Sequence, residues 1–209
     1  IWLDLKRGKI MNRLLQGEVG SGKTVIAAAA IYCLAKAGYQ SVMMVPTEIL
    51  ARQHIQTLSK ILCESDGRLS FRLGVVVGRM KESEKRAVKE DLNKGKIQVL
   101  IGTHAVIQDD VGFKNLGLVI TDEQHRFGVR QKTLLQNKGM VPHMLVMSAT
   151  PIPRTLAHIL HGDLDLSVID ALPAGRKPIK TYLVNSEYRQ RVYQFVKKHA
   201  LLGDQTYVL

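Results

Sequence analysis

The chain has 209 residues, of which 45% are hydrophobic, 23% charged and 5% aromatic. This balance is typical of a folded globular protein and excludes a disordered or fibrous chain. The apolar runs are shorter than the roughly 20 residues that a membrane-spanning helix needs, so we expect no such helix. The formal net charge of +12 favours a polyanionic partner such as nucleic acid, because Lys and Arg that neutralise phosphates release counterions. Charge alone leaves open a plainer interpretation, in which a segment such as MKESEKRAVKEDLNKGK is only a solvated helix.

Short apolar runs alternate with helical patterns along the chain. Helices are predicted over residues 23–37, with Gly38 placed for a left-handed cap, and over residues 48–62. Apolar strands joined by helix-length connections predict an α/β fold, in which helices flank a mainly parallel sheet on both faces. The runs that we interpret as strands are, in chain order, RLLQ, SVMMV, FRLGVVV, QVLI, LGLVITD, HMLVMS and LDLSVI.

The pattern changes after residue 170. Residues 171–179 hold two prolines and a glycine, which predicts a linker that follows a first domain at 1–170. In residues 180–209, KTYLV, a helix over 187–202 and QTYVL indicate a strand, a helix and a strand that open a second, truncated α/β domain. Because the chain starts in mid-pattern without Met, we expect it to be cut at both ends, with the N-terminal part of the first domain missing.

The two cysteines predict no special chemistry. Cys33 and Cys63 lie in helix-like stretches and have no C-x-x-C spacing, so neither a disulfide framework nor a zinc site is indicated. We expect both to be reduced thiols of a cytoplasmic protein.

A glycine-rich segment between RLLQ and the first helix matches the phosphate-loop pattern G-x-x-x-x-G-K-[ST]. Its glycines allow backbone N–H groups to turn toward phosphate oxygens, and the helix N-terminus adds a favourable dipole. Lys23 is predicted to reach the β- and γ-phosphates, and Thr24 to offer its hydroxyl to Mg²⁺. The nucleotide-binding residues are predicted to be Gly17, Glu18, Val19, Gly20, Ser21, Gly22, Lys23 and Thr24.

Two acidic residues follow the apolar run at 116–120. Ligands of open α/β sheets lie at the carboxyl ends of the strands, so Asp122 and Glu123 are predicted to arrive beside the phosphate loop. Asp122 is assigned to Mg²⁺, and Glu123 to orienting and deprotonating the attacking water, which makes Glu123 and Lys23 the candidate catalytic residues. Standing alone, the same pair would indicate only favourable charges at a helix N-terminus.

The segment TDEQHRFG resembles the D-E-x-H box of the superfamily 2 helicases and translocases. Over nearly the whole chain, the sequence is similar to bacterial helicases that catalyse branch migration. The segments that carry this similarity are, in chain order, GTHAVIQ, DEQHRFGVRQ, SATPIPRTL and DLSVIDALPAGRKPIKT. The nearest alternative group, the translocases that couple transcription to repair, typically carries a second acid at the position of Gln124. Ser148 stands where the branch-migration helicases usually have Thr, and it retains a hydroxyl.

The resemblance also implies where nucleic acid is contacted. PTEILARQH is similar to the family's motif Ia, so Thr47 and the N–H groups that follow it are expected to contact the backbone of the nucleic acid. Thr47 also fits an ordinary helix N-cap, and the two roles are compatible. Gly102, Thr103 and His104 resemble a family segment that lies near the bound strand.

SAT at positions 148–150 matches the family's motif III, whose hydroxyls link the acidic box to the nucleic-acid site. Ser148 and Thr150 are therefore expected to hydrogen-bond Asp122 or His125. A three-residue match often arises by chance. The position of this one after the D-E-x-H box supports its assignment to motif III.

As a whole, the resemblance implies a RecA-like P-loop domain of a helicase that uses ATP and Mg²⁺ to remodel branched double-stranded DNA at forks and Holliday junctions, in recombination and repair. The family hydrolyses ATP between two such domains, and its arginine fingers and junction-binding wedge domain are expected outside these residues. The isolated chain is thus expected to be weakly active or inactive. Two alternatives stay open: a transcription-repair coupling translocase, and a nucleic-acid-binding module with an inactive ATPase.

Overall fold

A computed structural model describes residues 1–6, 9–63, 71–103, 106, 111–122, 141–150, 164–171 and 179–208. The chain divides into two compact units, Ile1–Pro173 and Ala174–Leu209. None of the helices in these described ranges is long and apolar enough to cross a membrane. The linker predicted at 171–179 stays a prediction, because most of it lies outside the described residues.

The first unit is built from alternating helices and strands. Its described helices are α1 (Trp2–Lys6), α2 (Lys23–Lys36), α3 (Glu48–Ile61) and α4 (Glu82–Asn93). Its described strands are β1 (Asn12–Gly17), β2 (Gln40–Met44), β3 (Leu73–Val76), β4 (Val99–Gly102), β5 (Leu116–Asp122), β6 (His143–Ser148) and β7 (Asp165–Ile169).

The described strands form one sheet in the order β3-β4-β2-β5-β6-β1-β7. Each pair of neighbours is parallel. All carboxyl ends therefore meet at the same edge of the sheet, which is where ligands bind in open α/β folds. The predicted α/β fold with a parallel sheet is confirmed, and each apolar run of residues 1–170 that was interpreted as a strand contributes one.

The alternation of side chains along the strands divides the core between the two faces of the sheet. In β5, Leu118 and Ile120 pack in a cluster with α2 and α3 residues, whereas Val119 packs on the opposite face, in a cluster that includes Leu92 of α4. This is the period-two pattern of a strand that is buried on both faces. Helices α2 and α3 therefore cover one face of the sheet and α4 the other.

The helix ends follow local chemistry. Helix α2 ends at Lys36, and Gly38 has the predicted left-handed conformation, with φ at 85°. Thr47 caps α3, since its hydroxyl accepts a hydrogen bond from the Leu50 N–H at 3.3 Å. Cys33 lies within α2, but Cys63 follows the end of α3, and both are free thiols.

The second unit contains a 3-10 helix (Ser186–Tyr188) and helix α5 (Arg189–Leu201). The helix predicted at 187–202 is therefore present. The two strands predicted from KTYLV and QTYVL are wrong, because residues 180–184 and 205–208 have no regular structure. These segments have a strand-like composition, but an isolated strand is not stable without a neighbour to which its N–H and C=O groups can bond.

Candidate active site

The glycine-rich segment forms a loop between the end of β1 and the start of α2. Gly20 and Gly22 have left-handed φ values of 82° and 96°, which side chains rarely adopt. The Ser21 N–H donates a hydrogen bond to the Glu18 carbonyl at 3.1 Å, which closes a tight turn. Gly22 is the N-cap of α2, so no side chain caps the helix, and the positive end of its dipole favours an anion at this position.

Two further features show that the loop packs closely. A Cβ at Gly17 would lie 2.6 Å from Ser21 Oγ and 3.0 Å from Ile169 Cβ, so a larger residue would force the loop away from β7. Within the described residues, Ser21 Oγ is buried without a hydrogen-bond partner. Glu18 and Val19 lie at the exposed tip of the loop.

Lys23 and Thr24 are the first two residues of α2. The ammonium group of Lys23 lies 2.6 Å from the Gly17 carbonyl and 2.9 Å from the Glu18 carbonyl. Thr24 is half-buried in the first turn. Both side chains therefore start from the helix end at which an anion is stabilised.

Asp122 is the last residue of β5, which matches the run LGLVITD. Only β6 separates β5 from β1 in the sheet, which sets the ends of these strands about 10 Å apart. Because Ile120 faces α2 and α3, the period of the strand places the Asp122 side chain on that same face. The loop and the carboxylate therefore share one edge and one face of the sheet.

Motif III lies between them, at the end of β6. Ser148 Oγ is 3.0 Å from Thr150 Oγ1, and the Thr150 N–H donates to Ser148 Oγ at 3.2 Å. Among the described residues, these hydroxyls bond each other, and neither reaches Asp122. Glu123 and His125 lie outside the described residues.

Asp122 has a different partner, which the sequence did not reveal. Nε2 of His54 lies 2.8 Å from Asp122 Oδ2, and both side chains are mostly buried. The signal for His54 was its spacing on α3, since Ala51, His54 and Leu58 are the buried positions of that helix. An inward-facing histidine was predictable from that spacing, but its partner depends on the order of the strands.

The residues proposed to contact nucleic acid follow two neighbouring strands at the same edge. Thr47 comes after β2 and is exposed, and Gly102 ends β4. The Val45 N–H donates to the Gly102 carbonyl at 2.9 Å and joins the two strand ends. Thr103 follows and is half-buried, and His104 lies outside the described residues.

The chain is similar to helicases of known family. Residues 3–159 match the model of the DEAD/DEAH box helicase family, and the chain therefore belongs to that family, whose members use ATP. Its curated relatives include proteins named ATP-dependent DNA helicase RecG. It is 50% identical to that of Thermotoga maritima over 206 residues and 49% identical to that of Bacillus subtilis over 209 residues. The resemblance to the branch-migration helicases is confirmed.

These alignments cover 99% and 100% of this chain but only 26% and 30% of the two relatives. A solved structure of RecG bound to a three-way DNA junction has a TM-score of 0.81 and 48% identity, covering 97% of this chain and 27% of that chain. The helicase MrfA has a TM-score of 0.70 at 20% identity over 100% of this chain and 34% of its own, and shows the fold alone.

Proposed function

We propose that this chain is the ATP-hydrolysing part of a DNA helicase that remodels branched DNA, such as replication forks and Holliday junctions, in recombination and repair. The observation that carries the proposal is the placement of the phosphate loop and Asp122 on one edge and one face of the sheet. Identity near 50% to helicases named RecG supports the choice of substrate.

The residues at this edge fit a nucleotide with Mg²⁺. The loop has left-handed glycines and an uncapped helix N-terminus, which suit phosphate oxygens. Thr24 and Asp122 offer a hydroxyl and a carboxylate oxygen, which is the type of ligand atom that Mg²⁺ binds. Bound Mg²⁺ would neutralise charge on the phosphoryl group that is transferred.

Each residue then has a defined task in hydrolysis. Lys23 would bind the β- and γ-phosphate oxygens, and Thr24 and Asp122 would hold Mg²⁺. Glu123, the next residue after β5, orients the attacking water and accepts its proton. Arginines that stabilise the developing charge would come from a second motor domain, as in the wider family.

The DNA contacts are proposed on the strand ends beyond Asp122. Thr47, Gly102, Thr103 and His104 would follow the phosphate backbone, and the net charge of +12 would strengthen association in a salt-dependent way. Ser148, Thr150 and His125 would link these contacts to the acidic box. We further propose cytoplasmic action on chromosomal DNA.

The domain division follows from the same proposal. Residues 1–170 would form the first motor domain, 171–179 a linker, and 180–209 the opening of the second. Since ATP would be hydrolysed between two complete domains, we expect the 209-residue chain alone to bind nucleotide weakly and to turn it over slowly.

The decisive experiment measures ATP hydrolysis by the full-length gene product, with and without a forked DNA, at one stated salt concentration. Strong stimulation by the fork, lost in Asp122→Asn, is the expected result. An ATP hydrolysis rate that is the same with and without DNA would favour a coupling translocase or another P-loop ATPase. Absence of turnover together with intact DNA binding would favour a nucleic-acid-binding module.

A further inference from the structure

Helix α3 presents one buried polar side chain to the sheet. Its inward positions are Ala51, His54 and Leu58, and His54 is 9% exposed. A buried imidazole loses solvation, so its polar atoms need partners to offset that cost. Among the described residues, its hydrogen-bond partner is Asp122, whose Oδ2 lies 2.8 Å from Nε2.

This bond indicates which tautomer of the His54 ring is present. An ionised carboxylate only accepts hydrogen bonds, so Nε2 of His54 carries the proton and donates. Nδ1 is buried without a partner among the described residues. The ring is therefore held by its packing on α3 and by a single bond to Asp122.

The bond also leaves half of the carboxylate available. Oδ2 of Asp122 accepts from His54, while Oδ1 has no hydrogen-bond partner within the described part of the chain. The side chain of Asp122 is 18% exposed, so this carboxylate is neither fully solvated nor fully paired. One oxygen is fixed, and the other is left for a ligand at the carboxyl edge of the sheet.

We propose that His54 is a positioning residue that orients the Asp122 carboxylate for metal binding. The inference rests on the proposed function, in which Asp122 is a Mg²⁺ ligand. A histidine that donates to one oxygen of a ligating carboxylate fixes its rotation and leaves the second oxygen directed at the metal. Loss of such an outer partner typically weakens metal affinity or activity about 10–100-fold.

Two amide substitutions separate this role from simple packing. In His54→Gln the amide nitrogen reaches about as far as Nε2 and can still donate to Asp122. In His54→Asn the same group reaches only as far as Nδ1 and falls short. The two variants have the same chemistry and differ by one methylene, so a purely structural role would affect them alike.

The test measures the binding of a fluorescent ATP analogue, mant-ATP, to the full-length gene product as Mg²⁺ is titrated. We expect His54→Asn to raise the Mg²⁺ concentration for half-maximal binding about 10-fold or more, and His54→Gln to remain near wild type. Affinity for mant-ATP in EDTA should be unchanged in both. Steady-state kinetics should show a raised KM for Mg²⁺ in His54→Asn, with kcat recovering at saturating Mg²⁺.

Three outcomes would overturn the proposal: wild-type Mg²⁺ dependence in His54→Asn, equal defects in both variants, or loss of folding in both by thermal unfolding. Asp122→Asn in the same titration separates this inference from the proposed function. If that variant has wild-type Mg²⁺ dependence, the metal role of Asp122 itself is wrong. If Asp122→Asn is defective and His54→Asn is not, only the role of His54 fails.

Discussion

Lys23 folds back over its own loop, with its ammonium group 2.6 Å from the Gly17 carbonyl oxygen. A second contact, 2.9 Å to the Glu18 carbonyl, holds the charge above the backbone of the loop and away from the core. The lysine therefore lies where the oxygens of a bound phosphate would replace these carbonyls. We therefore expect Lys23 to contribute more to the affinity for nucleotide than to the stability of the fold.

Lys23→Ala should therefore weaken nucleotide binding and leave the fold intact. Hydrogen bonds to charged groups contribute about 1.5–3 kcal/mol, which corresponds to roughly 10–100-fold in Kd. Fluorescent nucleotide titration measures the affinity, and thermal unfolding measures the stability. Lys60→Ala, at an exposed position near the end of α3, is the matched control and should change neither. Global unfolding of Lys23→Ala would instead indicate a structural role.

Gln40, the first residue of β2, joins the end of α4 and the segment before β4 to the segment before β5, and it should be costly to replace. Its Nε2 donates to the carbonyls of Leu92 and Ile97, and its Oε1 accepts from the N–H groups of Lys114 and Asn115. The residue is only 3% exposed, so Gln40→Met would leave backbone groups without partners at a cost of about 2–5 kcal/mol.

Urea denaturation of Gln40→Met against wild type measures this cost. Gln56→Met, at an exposed position of α3, should stay within about 0.5 kcal/mol of wild type. If the two variants are equally stable, the prediction is wrong, and water replaces the four hydrogen bonds of Gln40 without loss of stability.

The sheet and the phosphate loop were predictable because their signals are local. Each predicted strand of residues 1–170 is present, and the loop pattern lies between β1 and α2, as its chemistry requires. Asp122 was also predictable, since an acid after an apolar strand meets the loop whenever both strands end at the same edge. These inferences needed only the parallel arrangement of the strands, which the helix-length connections imply.

The partners of the site residues were not predictable in the same way. The pairing of His54 with Asp122 depends on where α3, which packs against β3 and β4, lies relative to the end of β5, and the packing of the whole unit sets that position. The expected bond from Ser148 or Thr150 to Asp122 is replaced by a bond between the two hydroxyls. The strand predicted at residues 180–184 from their composition is absent, because a strand also needs a neighbouring strand with which to form hydrogen bonds.

Gly102→Ala should destabilise the sheet through a steric clash. A Cβ at this position would collide with the Val76 carbonyl oxygen of β3 and with the Val106 side chain. Overpacking of this kind costs about 1–3 kcal/mol, and here a backbone atom has to move. Gly78→Ala is the matched control, because no atom lies within 4 Å of its added Cβ. Urea denaturation that shows equal stability for both would contradict this packing.

The environment of the His143 side chain indicates that the folded protein loses stability in mild acid. Its Nδ1 accepts a hydrogen bond from the Met11 N–H at 3.0 Å, which requires the neutral ring. Burial lowers the pKa of His143 below its ordinary value of 6.5, and the nearby charge of Asp4 only partly opposes this. Because the unfolded chain then binds the proton more tightly, the stabilisation is complete above about pH 6.5 and declines as the pH falls toward the lowered pKa.

His143→Asn isolates this contribution from the other groups that titrate in the same range. An asparagine can still offer an oxygen to the Met11 N–H, but it does not titrate. The free energy of unfolding should therefore fall more steeply between about pH 7 and pH 5 in wild type than in the variant. Urea denaturation at a series of pH values measures both slopes. Parallel slopes would mean that His143 takes up its proton equally well in the folded and unfolded chains.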